Sequence, residues 1–258
     1  MTFKDERRQQ PFGASKSLID DRLAFRLYRR IFGAEDMHSH YRWNAVAPLI
    51  DLKASRTLEV GGGDGRISFE VALRGHAGSI VMTEFDDESV AEAKAIARAG
   101  GFRQVDVSQK DLRQLGMEAS FDQVLAIDVL EHIDDDALAI GEIAEALQPG
   151  GRLVVSVPTP RYPRVFGREF HEQLGHVRDG YWLEDLQSKL APAGLRVIVH
   201  RYYTGRWVAR ACRVFYGLRI PYVIGVLWAP LLRPLLRRTE MSVARDEACS
   251  LALVAIKE

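Results

Sequence analysis

Short apolar runs rich in β-branched residues alternate with helical patterns along most of the 258-residue chain. This alternation predicts a parallel sheet with helices on both faces, because a connection between neighbouring parallel strands is long enough to form a helix. Strands are predicted at Thr57–Val60, Ile80–Glu84, Gln104–Val107, Gln123–Asp128, Arg152–Val157, Leu195–Tyr203 and Ser250–Ile256. Helices are predicted between them at Arg66–Arg74, Glu88–Ala99, Asp135–Leu147 and Leu183–Leu190. The sequence therefore predicts an α/β protein with a doubly wound, mostly parallel sheet.

Two further segments lie outside this alternation. The residues before the first strand form two helical patterns, Leu18–Phe32 and Asp36–Leu49. Between the last two strands lies an insertion rich in arginine and aromatic residues, residues 205–246. We therefore expect an N-terminal helical cover, residues 1–50, and a sheet domain, residues 51–258, that carries the insertion.

A glycine-rich loop follows the first predicted strand and opens a helix. Gly61, Gly63 and Gly65 alternate along it, so the chain can turn sharply and a ligand can approach the bare backbone. The helix start behind the loop presents N–H groups without helical partners. Dinucleotide binding needs G-x-G-x-x-G, whose third glycine falls where Arg66 stands. Glu59 before the loop offers a carboxylate, so the loop favours a cationic ligand over a pyrophosphate.

Acidic residues stand at the ends of the next three strands. Glu84 closes the second strand, where a carboxylate can accept hydrogen bonds from both hydroxyls of a ribose. Asp111 and Leu112 follow the third strand and could flank an adenine, and Asp128 closes the fourth. Because open α/β sheets bind ligands at the carboxyl ends of their strands, these positions together predict one nucleoside site.

These residues resemble the motifs of the class I S-adenosylmethionine-dependent methyltransferases. The resemblance rests on the glycine loop at 59–65, Glu84, Asp111-Leu112, Asp128 with Leu130-Glu131-His132, and residues 147–151. It implies a Rossmann-like sheet of seven strands whose last strand inserts antiparallel, with S-adenosylmethionine as cofactor. The cofactor-binding residues that it implies are Glu59, Gly61, Gly62, Gly63, Gly65, Glu84, Phe85, Asp111, Leu112 and Asp128. Gly62 stands where cysteine or alanine is common, and Glu84 stands where aspartate is commoner.

Methyl transfer to a hydroxyl needs a base, and imidazole titrates near neutrality. His132 follows the fourth strand beside the expected methyl group and is the preferred base, although it could instead cap the following helix. His171 and His176 lie after the fifth strand, in a loop that resembles those of methyltransferases acting on sugars, lipid-linked intermediates and quinone precursors. The expected catalytic residues are His132, Asp128, His171 and His176. The residues expected to contact the acceptor are Tyr41, Arg42 and Arg178.

A metal site is the alternative use of the same segment. Asp128, Glu131 and His132 match by position the Glu-x-x-Glu-His of ubiquinone-pathway O-methyltransferases, where these side chains can hold a divalent cation. Oxygen ligands with one imidazole suit an ion such as Mg²⁺ or Mn²⁺. Asp128 is shorter than glutamate, and aspartate at this place often orients the substrate or the cofactor amine. We therefore expect no metal.

The net charge of zero conceals a segregation of charge along the chain. Residues 59–150 carry 19 acidic and 7 basic side chains, whereas residues 151–258 carry 9 acidic and 17 basic ones. The acidic middle argues against a nucleic-acid groove across it. Positions 128–131 also lack the Asn/Asp-Pro-Pro-aromatic motif of methyltransferases that act on bases. We therefore expect no nucleic-acid partner.

The arginine-rich insertion has a helical pattern of its own. Eight arginines and one acidic residue lie between Arg201 and Glu240, and apolar residues recur at three- and four-residue steps from Trp207 to Leu218. Such a helix has one apolar and one guanidinium face. It can pack on the N-terminal helix, which is the commoner fate, form a homodimer interface, or lie on an anionic membrane. Residues 205–240 are therefore the candidate for peripheral membrane contact.

Three features bear on the cellular location. Cys212 and Cys249 have no CxxC spacing, which favours a reducing compartment. The N-terminus leads into polar sequence rather than the apolar stretch of a secretory leader. The most apolar run, Ile220–Leu232, is shorter than the about twenty residues that a membrane-spanning helix needs. We expect a cytoplasmic protein, with peripheral contact at the inner membrane surface as the alternative.

These observations lead to one expected function with open alternatives. The expected reaction is methylation of a hydroxyl oxygen on a small or lipid-linked acceptor, such as a sugar, a quinone-like compound or a natural product. C- or N-methylation is an alternative that needs positioning alone. A catalytically idle, S-adenosylmethionine-binding partner protein is another. A nicotinamide oxidoreductase is disfavoured by Arg66 in the glycine loop.

Overall fold

The computed structural model describes residues 37–217 and 243–258. Its strands are β1 Arg56–Val60, β2 Ser79–Glu84, β3 Val105–Gln109, β4 Phe121–Ile127, β5 Leu147–Pro158, β6 Leu195–Tyr203 and β7 Ser250–Lys257. Its α-helices are α1 Met37–Val46, α2 Arg66–Leu73, α3 Asp87–Gly100, α4 Asp136–Ala146, α5 Tyr162–Phe166, α6 Arg168–Gln173, α7 Leu183–Leu190 and α8 Arg206–Gly217. All seven predicted strands are present. The start of β5 differs most from the prediction, because Leu147 already pairs with Phe121 of β4 across a register shift.

The seven strands form one sheet in the order β3-β2-β1-β4-β5-β7-β6. Neighbouring strands from β3 to β5 pair in parallel, whereas β7 pairs antiparallel with both β5 and β6. This arrangement confirms the predicted doubly wound, mostly parallel sheet with an antiparallel last strand. The strand order reverses between β1 and β4, and the carboxyl ends of these two strands border the crevice where such sheets bind ligands.

Helices cover both faces of the sheet, so the central strands are apolar on both sides. Two consecutive residues of β4 show this directly, because their side chains point to opposite faces of the sheet. Val124 lies in one apolar cluster with Ile140 of α4, whereas Leu125 lies in a second cluster with Phe69 of α2. Buried strands of this kind have continuous apolar sequences, and for this reason their positions could be predicted from the sequence.

The predicted N-terminal cover and the insertion fall partly within the described residues. The helical pattern Asp36–Leu49 corresponds to α1 and a 3₁₀ turn, Ala47–Leu49, whereas the pattern Leu18–Phe32 lies outside the described residues. The insertion begins with α8. Within the two described ranges, no helix combines the length and the apolar character needed to cross a bilayer.

Candidate functional site

The glycine loop takes a backbone conformation that side chains resist. Gly61, Gly63 and Gly65 all have positive φ angles, of 62°, 57° and 86°. A Cβ atom on Gly61 would lie 2.2 Å from Cγ2 of Val129, and one on Gly65 would lie 2.5 Å from the Phe69 ring. The alternate glycines therefore let the loop turn directly against neighbouring side chains and expose its backbone at the start of α2.

Glu59 lies beneath this loop and is almost completely buried. Its Oε2 accepts hydrogen bonds from the backbone N–H of Ser68, at 3.0 Å, and from the Ser68 hydroxyl. Burial raises the pKa of the Glu59 carboxyl to about 7, because removal from water disfavours its charged form more than the Ser68 bonds favour it. A cation bound at the loop would favour the ionised form of Glu59. We therefore expect a positively charged ligand to lower the pKa of Glu59.

The raised pKa predicts that Glu59 weakens the fold as the pH rises. The folded protein holds this proton more tightly than the unfolded chain, in which the carboxyl has its ordinary pKa of 4.5. The stabilising contribution is therefore complete below about pH 4.5 and is lost as the pH rises through about 7. Between about pH 5 and pH 8 we expect the wild type to lose about 3 kcal/mol more stability than Glu59→Gln.

Urea unfolding of both proteins without cofactor measures this difference. Glu145→Gln, at an exposed site, is the control and should follow the wild type; equal pH profiles for wild type and Glu59→Gln would contradict the prediction.

Glu84 joins the end of β2 to the glycine loop. Its Oε2 accepts from the N–H of Gly63 at 2.8 Å, and its Oε1 accepts from the N–H groups of Phe85 and Asp86 at 2.7 and 3.0 Å. A carboxylate has about four acceptor positions, so three are already used. A ribose hydroxyl would have to take the remaining position or replace a backbone donor. The expected ribose contact of Glu84, with the exposed Phe85 ring beside it, stays a prediction.

Asp111 and Leu112 begin a 3₁₀ turn after β3. The Asp111 carboxylate accepts from the side chain of Arg113 through both oxygens, at 3.0 and 2.7 Å. These hydrogen bonds lower the pKa of Asp111. Leu112 is buried beside it. An adenine amine would compete with Arg113 for the carboxylate, so the predicted role of Asp111 requires Arg113 to move or to share it.

Asp128 lies at the end of β4 with a left-handed backbone, φ 53°. Its Oδ2 accepts from Nη1 of Arg42 at 3.0 Å, and its Oδ1 accepts from the Ser156 hydroxyl at 2.7 Å. The Ser156 oxygen is also 2.6 Å from the Tyr203 hydroxyl. The structure thus brings together Arg42 and Asp128, which the sequence named separately. Ser156 and Tyr203 are not among the residues predicted from the sequence, although a serine within the apolar run of β5 could have indicated a polar site there.

The three predicted histidines come together from two separate segments. His132 lies in a 3₁₀ turn, Leu130–His132, and its Nδ1 is 3.2 Å from the carbonyl oxygen of Gly175. The rings of His132 and His176 meet edge to face, with centroids 4.8 Å apart. Nδ1 of His176 is 2.9 Å from Nδ1 of His171 in α6. The loop after β5 therefore overhangs the end of β4, as predicted.

Glu131 is buried beside these imidazoles. Within the described ranges its Oε2 has no hydrogen-bond partner, and burial, reinforced by the negative charge of Asp128, raises the pKa of Glu131 well above its usual value. One ligand atom each from Glu131, His132 and His176 lies within 4.8 Å of the others. These atom types fit a divalent cation. His176 here takes the place that the resemblance gave to Asp128, whose oxygens accept from Arg42 and Ser156.

Two residues expected to contact the acceptor have other partners. The Arg178 guanidinium donates to the Asp136 carboxylate and to the carbonyl oxygens of Ile133 and Asp134, so it ties the loop after β5 to the segment after β4. Tyr41 is 4% exposed and packs in a third apolar cluster with residues of α5 and α8. The structure gives both residues a role in holding segments together, and a contact of either with an acceptor stays a prediction.

Comparison with known proteins gives one family and several relatives. Residues 51–184 match a family model described as a methyltransferase domain. The ubiquinone biosynthesis O-methyltransferase of Azotobacter vinelandii is 28% identical over 228 residues, which cover 86% of this chain and 90% of that relative. The enzyme of the same name from Marinobacter nauticus is 33% identical over 130 residues, 48% of this chain and 52% of that relative.

Solved structures with the same fold have lower identity. An S-adenosylmethionine-dependent methyltransferase from Mesorhizobium loti has a TM-score of 0.60 at 16% identity, covering 86% of this chain and 100% of that one. The [4+2]-cyclase SpnF has a TM-score of 0.57 at 24% identity, covering 84% of this chain and 79% of that one. At these identities the likeness shows the fold alone, and the second neighbour is named for a different reaction.

Proposed function

Because the chain belongs to the methyltransferase domain family and is an S-adenosylmethionine-dependent methyltransferase, we propose that it methylates a hydroxyl oxygen of a quinone-like small molecule. The observation that carries the proposal is the convergence of His132, His176 and Glu131 at the end of β4. The names of the relatives from Azotobacter vinelandii and Marinobacter nauticus support a quinone-like acceptor.

The glycine loop side of the crevice is the proposed cofactor site. When bound, S-adenosylmethionine supplies its methyl group on a positively charged sulfur and departs as a neutral thioether. We assign the methionine part to residues 61–65 with Glu59, the ribose to Glu84, and the adenine to Asp111 and Leu112. The positive φ angles of the loop and the near-neutral pKa of Glu59 support this assignment.

His132 is the proposed base for the acceptor hydroxyl. The carbonyl of Gly175 can only accept a hydrogen bond, so Nδ1 of a neutral His132 carries the proton and Nε2 carries the lone pair. As the acceptor oxygen is methylated, Nε2 of His132 would take the hydroxyl proton. Asp128, joined to Arg42 and Ser156, is proposed to shape the acceptor side of the same space.

The charges around the three-residue cluster favour an uncharged hydroxyl over an anion. Arg42 and Arg178 donate to Asp128 and Asp136, so these cations are neutralised where they stand. The cluster itself offers imidazole nitrogens and a carboxyl group, which accept hydrogen bonds from a hydroxyl. A divalent cation held by the same three side chains would lower the pKa of a bound hydroxyl. C- or N-methylation would need neither hydrogen-bond acceptors for a hydroxyl nor a divalent cation.

The decisive experiment is a product analysis. The purified chain is incubated with methyl-labelled S-adenosylmethionine and a series of hydroxylated aromatic and quinol acceptors, alongside fractionated cell extract. We expect label as an O-methyl ether in a quinol-type product, identified by mass and by its methyl NMR shift. Label on carbon or nitrogen would overturn the O-methyl assignment. Cofactor binding by calorimetry without transfer to any acceptor would favour the idle binding protein instead.

We also propose that residues 1–50 act as a cover over this site and residues 51–258 as the catalytic domain. The contact that supports this division is the ion pair between Arg42 of α1 and Asp128, 3.0 Å long. This ion pair joins α1 to the carboxyl end of β4, next to the cluster of Glu131, His132 and His176.

Helix α8 supports a further proposal, peripheral contact with an anionic membrane. Its inner side is buried through Val208, Ala209 and Cys212, in one apolar cluster with Tyr41 of α1 and residues of α5. Its outer side exposes half of Trp207, with the guanidinium groups of Arg206 and Arg210 each 5.3 Å from that ring. An exposed tryptophan flanked by arginines suits a lipid headgroup region.

Vesicle sedimentation tests this proposal. We expect binding to vesicles with anionic lipid at low salt, and at least about a tenfold loss for the double variant Trp207→Ser, Arg210→Gln, because each arginine near such a surface contributes about 1 kcal/mol. Arg196→Gln, at an exposed arginine of β6, is the matched control. Absence of wild-type binding at low salt would refute membrane contact, and a dimer that the double variant dissociates would assign this surface to a homodimer instead.

A further inference from the structure

A row of hydrogen bonds links the far side of the sheet to helix α1. The Tyr203 hydroxyl, at the end of β6, lies 2.6 Å from the hydroxyl of Ser156 in β5. The Ser156 hydroxyl lies 2.7 Å from Oδ1 of Asp128, whose Oδ2 accepts from Arg42 of α1 at 3.0 Å. Ser156 is completely buried, and Tyr203 is almost so. The row therefore runs through the interior from β6 to α1.

The small side chain of Ala252 lets the tyrosine reach Ser156. Strand β7 lies between β5 and β6, and its Ala252 pairs directly with Ser156. Residues paired in this way point to the same face of a sheet. On that face Tyr203 and Ala252 belong to one apolar cluster with Trp43 and Val46 of α1. The tyrosine thus crosses β7 on the side of the sheet that α1 covers.

The protons in this row have one possible arrangement. The Asp128 carboxylate, paired with Arg42, only accepts hydrogen bonds, so the Ser156 hydroxyl donates its single proton to Oδ1. The contact between Ser156 and Tyr203 then needs the proton of Tyr203. Burial, together with the negative charge of Asp128, raises the pKa of Tyr203, so this proton is present at neutral pH. Both hydroxyls therefore donate in the direction of Asp128.

Ser156 holds Asp128 at two points. Its hydroxyl donates to the Asp128 side chain, and its carbonyl oxygen accepts from the Asp128 backbone N–H at 2.8 Å. The backbone of Asp128 has a φ of 53°, a conformation that a residue other than glycine keeps only where its surroundings hold it. The two contacts with Ser156 therefore fix both the backbone and the carboxylate of Asp128.

Helix α1, at the other end of the row, lies next to the start of α2. The two helices line one small cavity, through Ser39, Arg42 and Trp43 of α1 and Arg66, Ile67 and Glu70 of α2. Helix α2 begins directly after Gly65, the last glycine of the loop. The position of α1 therefore bears on the loop to which we assign the cofactor.

We propose that Tyr203 and Ser156 are positioning residues that orient the Asp128 carboxylate toward Arg42 and so dock helix α1 beside the glycine loop. The row reaches α1 only through the ion pair between Asp128 and Arg42, so its effect on α1 requires the Arg42 guanidinium. The use of α1 as a cover rests on the proposed function, whereas its docking through this row does not.

Hydrogen–deuterium exchange of the full chain without cofactor tests the proposal, with the backbone amides of α1 as the readout. Tyr203→Phe keeps the ring and removes the hydroxyl. Ser156→Ala removes the direct donor to the carboxylate and leaves the tyrosine hydroxyl without its acceptor. Arg42→Gln removes the ion pair and is measured alone and in combination with Tyr203→Phe.

Tyr181→Phe is the matched control. The Tyr181 hydroxyl is also buried and also donates to a carboxylate, that of Asp136, at 2.8 Å. Tyr181 belongs to the apolar cluster on the other face of the sheet, away from α1. Its loss should lower the stability of the fold in the way that any buried hydrogen bond does. Comparison with this variant therefore separates a positioning role from a merely structural one.

We expect Tyr203→Phe to accelerate exchange in α1 by about fivefold and Ser156→Ala by about tenfold or more. Arg42→Gln should accelerate it at least as much as Tyr203→Phe does. Adding Tyr203→Phe to Arg42→Gln should then change the rate by less than about twofold, because the row no longer reaches α1. Tyr181→Phe should leave exchange in α1 within about twofold of the wild type.

Two results would overturn the positioning role. One is an exchange rate of α1 that Tyr203→Phe raises no more than Tyr181→Phe does. The other is a full further acceleration by Tyr203→Phe when Arg42 is already replaced. Both comparisons remain available if Ser156→Ala does not fold, because neither uses that variant.

Calorimetric titration with S-adenosylmethionine separates this proposal from the proposed cover. We expect Tyr203→Phe to weaken cofactor binding by about threefold, because a loosened α1 no longer lies steadily beside the glycine loop. Faster exchange in α1 with an unchanged cofactor affinity would support the docking through Asp128 and Arg42 and would refute the role of α1 as a cover. The exchange measurement needs no methyl acceptor, so it holds whichever acceptor the protein uses.

Discussion

Gly61→Ala should reduce the affinity for S-adenosylmethionine by about 100-fold or more. Gly61 has a φ of 62°, which costs an alanine about 1 kcal/mol, and its Cβ would also lie 2.2 Å from Cγ2 of Val129. Val129 stands between Asp128 and the turn that carries Glu131 and His132, so it cannot retreat without moving the acceptor side. The loop must therefore shift toward the cofactor. Calorimetric titration with S-adenosylmethionine and with its demethylated product measures the loss.

Gly63→Ala is the matched control for this prediction. Gly63 also has a positive φ, of 57°, but a Cβ there would meet nothing within 4 Å. Alanine at position 63 should therefore cost only the backbone strain, a loss of about fivefold in affinity. Thermal unfolding of both variants shows whether the fold is intact. Equal losses of affinity at positions 61 and 63 would show that the close approach of Gly61 to Val129 does not affect cofactor binding.

The sheet could be predicted from the sequence because its signals are local. A strand buried on both faces is a short apolar run, and the glycine loop has its spacing within nine residues, 58–66. The start of β5 was placed too late because the strand includes Gln148-Pro149-Gly150-Gly151, whose composition is typical of a turn. Pairing of Leu147 with Phe121 extends the strand, and such a pairing has no signature in the local sequence.

The candidate site was predictable in its residue types and less so in their partners. Histidines at the ends of two strands could be named, because strand ends converge in this class of sheet. The role of Arg178 could not, because its guanidinium reaches Asp136, 42 positions earlier in the chain.

His132→Ala should lower kcat by about 100-fold or more while the KM for S-adenosylmethionine stays within about twofold. The imidazole is proposed to take the hydroxyl proton, and His132 is not among the residues to which we assign the cofactor. His200→Ala is the matched control, because His200 is exposed on β6 far from the crevice, and it should keep the wild-type kcat. Steady-state rates with the acceptor found by product analysis provide the measurement. Near-normal turnover in His132→Ala would reject the base and leave the family assignment intact.

A chelator then decides which of two roles His132 has, because loss of a base and loss of a metal ligand both lower kcat. If His132 acts as the base, treatment with EDTA leaves the kcat of the wild type unchanged, and added Mg²⁺ or Mn²⁺ has no effect. If Glu131, His132 and His176 hold a cation, EDTA lowers the kcat of the wild type by about 100-fold and the ion restores it. Glu131→Gln sharpens the contrast, because a carboxyl whose pKa is raised by burial tolerates a neutral amide, whereas a metal ligand does not. We expect kcat to withstand both EDTA and Glu131→Gln within about threefold, since a single protein base is sufficient for proton removal.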